Sequence, residues 1–147
     1  YSVTGVQTCA LPICSQKPDH AQLSAEIAEP FLRTLNLSPT LISEIIHGIK
    51  AHSFSKGEKT EMLEAQILSD ADKLDALGAV GFFRASAYQY QHKQGLQEVL
   101  RHFEEKLLVL DQKMYLAESK RIAAERIERL KQYKAQLLEE LNQDLNK

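Results

Sequence analysis

The chain has 147 residues, 44% of them hydrophobic and 26% charged, the balance of one ordinary soluble domain and not of a disordered or collagen-like chain. Eighteen Lys and Arg against twenty Asp and Glu leave a formal charge of −2. No excess of positive charge is available to condense onto a nucleic-acid backbone or an anionic bilayer, so nucleic acid is not expected as a principal partner. No apolar run approaches the roughly 20 residues that span a membrane; the densest, Ala76 to Tyr88, is interrupted by Arg84.

The first fourteen residues, Tyr1 to Cys14, carry no charge, both cysteines and no helical or strand periodicity. From Val3 to Ile13 they resemble, codon for codon, the conceptual translation of a common sequencing-library adapter. A signal peptide would need a positive n-region and a longer apolar core. Residues 1–14 are therefore expected to be an unstructured artefact, with 15–147 forming a partial helical bundle whose natural beginning is lost. Ser15 to Lys147 contains no cysteine, which fits a reducing cytoplasm.

Asp19 and Gln22 form a D-x-x-Q capping box, predicting a helix from there to about Asn36. Pro30 removes an internal hydrogen bond and predicts a kink or break near Glu29. Ser38-Pro39 reads as an N-cap followed by proline at the first helical position. Ile42, Ile45, Ile46 and Ile49 then form one apolar stripe. Phe54 to Lys59 is a polar, Gly-containing loop, and Thr60 caps the next element. From Met62 to about Tyr90 the chain is apolar on most sides, as a helix central to a bundle is. Leu96 to Asp111 alternates apolar and charged residues like a surface helix. From about Leu116 to the end, Ala123, Ile127, Leu130, Leu137, Leu141 and Leu145 share one stripe of a long amphipathic helix. With no strand-like alternation, the fold reads all-α, a bundle of about five helices.

Asp70, Asp72 and Asp75 lie within the apolar segment, where a buried charge needs a partner, a metal or a proton. At 100° per residue, Asp72 and Asp75 share a face with Leu68 and Ala79, while Asp70 points away with Leu74 and Leu77. Pairing with Arg84 or Lys73, with the remaining carboxylates in solvent, satisfies them on local sequence alone. Among the histidines, His47 falls opposite the isoleucine stripe and reads as solvated. His52 sits at the stripe's edge at the helix end, where its ring can face a site or simply favour the helix dipole. His20 lies in a first helical turn, and His92 and His102 are assigned to no site.

Three strings occur in order: Asp19-His-Ala-Gln-Leu-Ser-Ala25, Ile49-Lys-Ala-His-Ser-Phe-Ser55, and Glu64-Ala-Gln-Ile-Leu-Ser-Asp-Ala-Asp-Lys-Leu-Asp-Ala-Leu-Gly-Ala-Val-Gly-Phe-Phe-Arg84. Together they resemble the bacterial HD-domain metal-dependent phosphohydrolases. His102-Phe-Glu-Glu-Lys-Leu107 and the arginine-rich helix after it are similar to the downstream part of one soluble branch. The resemblance covers about Pro18 to Leu138. It implies a helical bundle in which a first histidine, a His-Asp doublet and a distant aspartate hold a divalent ion (manganese, magnesium, nickel or iron). Asp72, in its Ala-Asp-x-Leu context, is similar to the distant aspartate, and is therefore expected to be the carboxylate kept buried in this apolar segment, beside a cation that accepts carboxylate and imidazole together. His20 and His52 match further histidines, placed by the resemblance around metal and phosphate, as second-metal ligands or as donors to the transferring phosphoryl group. Lys73 and Arg84 are implied in phosphate binding or ion pairing.

The implied chemistry is metal-assisted hydrolysis of a phosphate ester or anhydride, with a metal-bound water as nucleophile. A small phosphorylated substrate is expected, with a nucleotide favoured. The chain departs from the family in one respect: no His-Asp dipeptide occurs anywhere, Asp19-His20 being the reverse order. It therefore reads as the C-terminal portion of a cytoplasmic hydrolase, itself inactive, with an apolar face of the Met62–Tyr90 segment left exposed. The main alternative is a non-catalytic helical adaptor or oligomerisation domain using the Leu116–Leu145 stripe. Spacing that wanders between three and four without a sustained heptad argues against a long coiled coil. A domain that binds a nucleotide without turnover is a third reading.

Overall fold

The computed structural model describes residues 20–52, 59–93 and 95–145. The expected adapter-derived stretch, Asp19 of the capping box and residues 54–58 of the expected loop lie outside the described residues. Among the described residues the elements, in chain order, are α1 His20–Arg33, α2 Pro39–Ala51, α3 Leu63–Asp75, α4 Gly78–Gln91, α5 Leu96–Glu105, two 3₁₀ turns at Leu107–Val109 and Asp111–Lys113, and α6 Ala117–Leu145. Among the described residues there is no strand, and no helix is long and apolar enough to cross a membrane. The chain forms two compact units, residues 1–69 and 70–147, whose boundary falls inside α3.

In the first unit α1 packs on α2 through Ala21, Ala25, Ile42 and Ala51, all buried. Of the expected kink or break near Glu29, the break does not occur: α1 runs on through Pro30. Pro30 is exposed, so the carbonyl that loses its intrahelical partner can turn to water. The helix stops at Arg33, and Asn36 takes the left-handed conformation (φ 52°) that asparagine tolerates. The Gln22 amide donates to Glu26 at 2.8 Å. The Ser38 hydroxyl caps α2 by accepting from the Leu41 N–H at 3.2 Å, with Pro39 at the first helical position. Thr60 acts much as predicted: its hydroxyl accepts from the Met62 N–H at 3.2 Å, and the Gln66 amide reaches back to its carbonyl at 2.9 Å.

The segment read as one central helix is two. Gly78 adopts φ 78°, a conformation that costs a side-chain-bearing residue about 1 kcal/mol or more, and it separates α3 from α4. Nor is the segment deeply buried: Leu63, Ile67, Val80 and Phe83 are 54%, 49%, 58% and 72% exposed. Gly81 faces the preceding turn so closely that a Cβ would lie 2.0 Å from the Ala76 carbonyl oxygen. Gly81→Ala is therefore expected to cost at least about 1–3 kcal/mol, as overpacking does, and a chemical-denaturation midpoint equal to wild type would contradict it.

The core of the second unit is carried largely by the stretch expected to be a surface helix. Val99, Phe103, Leu107, Leu110 and Met114 are buried, because the helix–3₁₀ sequence keeps turning one apolar edge inward. Ala123, Ile127 and Leu130 of α6 are buried as predicted, whereas Leu137 and Leu141 are half-buried. Phe82 packs on Phe103 and Tyr133, ring centroids 5.1 and 5.9 Å apart. Charged residues on the outer faces form i,i+3 and i,i+4 pairs, such as Glu118–Arg121–Glu125, each worth only a few tenths of a kcal/mol.

His102, expected on an exposed helix face, is half-buried. Burial, then the nearby Lys106 and Arg101 charges, push its imidazole below the ordinary 6.5. The unfolded chain then binds this proton first as pH falls, so stability is lost on acidification through 6.5 down to the lowered folded value. His102→Gln should flatten the dependence of the denaturation midpoint between pH 7.5 and 5, and an unchanged slope would remove His102 as its source.

Candidate functional site

In the first unit the structure brings His20 and His52 together. Their rings meet edge to face with centroids 5.5 Å apart, and both side chains are half-buried. His52 follows the last turn of α2, where its Nδ1 bonds to the Ile49 carbonyl. A carbonyl only accepts, so Nδ1 carries the proton, and in the neutral ring Nε2 is left as the acceptor. The His52 carbonyl itself accepts from the Ser69 hydroxyl at 3.3 Å, tying the end of α2 to α3. His47 is not solvated as expected: it is half-buried, with Nε2 3.0 Å from the hydroxyl of buried Thr60.

In the second unit the three aspartates separate, and the expectation of a buried Asp72 fails. The buried carboxylate is Asp70, 1% exposed; Asp72 is exposed. The physical reason lies 45 residues downstream. Leu116 precedes α6 and its carbonyl accepts the first helical bond, from the Lys120 N–H. Asp70 on α3 fixes the turn that leads into this helix, accepting from the Tyr115 N–H at 2.9 and 3.2 Å and from the Leu116 N–H at 2.9 Å. Its charge also suits the positive end of the α6 dipole.

Lys73 is 4% exposed, with Nζ 3.8 Å from Asp70 and 5.1 Å from the centroid of the Tyr115 ring. Desolvation pushes its ammonium below the ordinary 10.5, opposed by the charges of Asp70 and Asp72. Here Lys73 serves as an internal counter-cation and does not present itself as an exposed phosphate donor. Arg84 pairs with Asp75, both partly exposed. Arg126 of α6 donates to the Leu74 carbonyl, and its side-chain carbons lie 3.6 Å from where a Gly78 Cβ would sit. Asp70, Tyr115 and Arg126 were missed as a group; the only local signal was the i,i+3 spacing of Asp70 and Lys73.

Among the described residues, no group of three or more His, Cys, Asp or Glu side chains is arranged to hold a metal ion. A zinc site takes three or more protein ligands, and the described residues assemble no such set; a magnesium-type ion would need only one or two carboxylates together with water and substrate phosphates.

The sequence matches the HD domain family over residues 11–77. It is similar to YpgQ of Bacillus subtilis, 32% identical over 143 residues that cover 90% of this chain and 70% of that protein. The chain belongs to the HD-domain family. The crystal structure of YpgQ matches with a TM-score of 0.69 at 32% identity, over 79% of this chain and 63% of that one, so the HD-domain chain spans less than two thirds of that structure's length. A structure of YpgQ in complex with ADP matches with a TM-score of 0.69 at 33% identity, over 84% of this chain and 67% of that one. The Lin1889 protein of Listeria innocua matches with a TM-score of 0.70 at 27% identity, over 85% of this chain and 69% of that one.

Proposed function

We propose that this HD-domain chain is the C-terminal portion of a divalent-metal-dependent phosphohydrolase that cleaves a phosphate ester or anhydride, with a nucleotide as the substrate class. The observation that carries this reading is the HD-domain match itself, because its span of residues 11–77 includes His20, His52 and Asp72. The ADP complex of the YpgQ relative supports a nucleotide-type ligand.

In this reading Asp72 is one ligand of the ion and its exposure leaves it accessible. The ring N–H groups of the His20–His52 pair can donate hydrogen bonds to phosphoryl oxygens. Arg84, partly exposed beside Asp75, can exchange that partner for a phosphate. Lys73 contributes indirectly, by holding the charge of Asp70. The chain alone is inactive, since the sequence has no His-Asp dipeptide to complete the family's ligand set.

The test assays the 147-residue chain, and a longer version extended upstream from the parent genome, against a nucleotide panel with manganese, magnesium, nickel or iron. Turnover is expected from the longer protein only. Equal rates from both would overturn the inactivity of the chain. Nucleotide binding by the longer protein with no turnover in any metal would replace hydrolysis with a binding role.

A further inference from the structure

The end of α3 is loosely bonded along its own backbone. The Ala76 N–H is shared between the Asp72 and Lys73 carbonyls at 3.3 and 3.2 Å, and the Leu77 N–H closes an i,i+3 bond to the Leu74 carbonyl at 3.2 Å. Long, tightened bonds of this kind are how a helix occupies its last carbonyls, and a turn held by them alone opens readily. Asp72 stands in this turn.

Within the second unit, two side-chain anchors hold the turn from outside. Asp70 grips the Tyr115 and Leu116 amides, and the Arg126 guanidinium of α6 donates to the Leu74 carbonyl. These anchor points flank Asp72, two residues to either side. Asp70 and Leu74 are four residues apart and share a helix face. At 100° per residue Asp72 projects about 200° round from both, and its side is the exposed one. The Asp72 carboxylate thus takes its direction from a turn whose opposite face is tied down. Asp70 holds the body of α3, whereas Arg126 is the anchor at the end that opens.

Three features suit Arg126 to this task. Its side chain is half-buried, which restricts its rotamers. Its Cβ, Cγ and Cδ atoms lie 3.9, 3.6 and 3.7 Å from where a Gly78 Cβ would sit, so the stem runs across the turn joining α3 to α4. Its guanidinium is a permanent cation at a helix C-terminus, where the dipole favours positive charge. One residue of α6 therefore ties the Gly78 turn to the last carbonyls of α3.

We propose that Arg126 is a positioning residue for the metal-dependent reaction: by holding the Leu74 carbonyl it fixes the last turn of α3 and with it the direction of the Asp72 carboxylate. This role rests on the reading of Asp72 as a ligand of the ion, which Asp72→Ala tests separately.

The test uses the upstream-extended protein carrying Arg126→Met, Arg126→Lys or, as a control for lost surface charge, Arg129→Met, an exposed position on the same helix. Manganese affinity is read by water-proton relaxation at a temperature where a thermal scan shows each protein fully folded, and kcat and KM are read with the best nucleotide. Arg126→Met is expected to bind manganese about 10–100-fold more weakly, the usual cost of removing a residue that orients a metal ligand. Its kcat should fall by a similar factor while KM stays within about twofold. Arg126→Lys, which keeps the charge and a donor, should recover most of both, and Arg129→Met should match wild type. Where Arg126→Met does not fold, Arg126→Gln, too short to reach the Leu74 carbonyl, replaces it with the same expected loss. A purely structural Arg126 would lower the unfolding midpoint and leave the manganese affinity of the folded protein unchanged; that result, or an equal loss in Arg129→Met, overturns the proposal. Abolished manganese binding in Asp72→Ala would keep the ligand reading alive through such a failure, whereas wild-type binding there would overturn both.

Discussion

Asp70→Ala is expected to lower the unfolding free energy of the second unit by about 3–5 kcal/mol, the cost of removing one partner from a buried charged pair. Three groups lose their partner at once. The Tyr115 and Leu116 amides in the turn before α6 lose their acceptor, and Lys73, 4% exposed, loses the carboxylate 3.8 Å from its Nζ. Asp70→Asn separates the contributions, because an amide oxygen can still accept from the backbone but no longer balances the ammonium. It should cost less than alanine, with most of its loss recovered when Lys73 is also changed to Met, since a buried pair is often replaceable by apolar groups of similar size. Chemical denaturation of the four variants measures both effects. If Asp70→Ala cost under about 1 kcal/mol, the amides and Lys73 would have found water, and the clamp between α3 and α6 would not be a major support of this unit.

How much of this was legible beforehand depended on the range of the interaction. Helix identity, the Ser38-Pro39 start of α2, the Thr60 turn and the buried Ala123–Ile127–Leu130 stripe are set by residues within one or two turns, and periodicity finds them. The same local signals found the pairing options of the aspartates: Lys73 does lie by Asp70, and Arg84 by Asp75. Which aspartate is buried was misread because it is decided by two backbone amides 45 and 46 residues away, which no spacing rule detects. The break at Gly78 was missed for a related reason. A glycine inside an apolar run is ambiguous between a packing contact and a left-handed turn, and only the φ of 78° separates them. Resemblance supplied the family, whereas the contact between His20 and His52 comes from α1 and α2 folding back on each other within the first unit.

Asp72→Ala should behave in the opposite sense to Asp70→Ala, two residues along the same helix. Substitution of an exposed side chain usually changes stability little, so the variant should unfold within about 0.5 kcal/mol of wild type, the small loss reflecting the interactions this carboxylate makes, its support of the Lys73 charge among them. Turnover by the upstream-extended protein should nevertheless fall by about a thousandfold or more, since each 1.36 kcal/mol of lost transition-state stabilisation is tenfold and a catalytic ion supplies several. Asp72→Asn should lose nearly as much, because a neutral amide oxygen is a poorer ligand for a hard cation than a carboxylate. Manganese titration followed by water-proton relaxation gives a readout independent of turnover, and both Asp72 variants should bind more weakly there. Asp70→Asn should show the reverse pattern, with reduced stability and manganese binding preserved wherever the protein is folded. Two carboxylates two residues apart would then divide the work of this helix, one spent on the fold and one on the chemistry. Full turnover in a well-folded Asp72→Ala protein would remove the aspartate from the reaction and leave the family's ion without a ligand on α3.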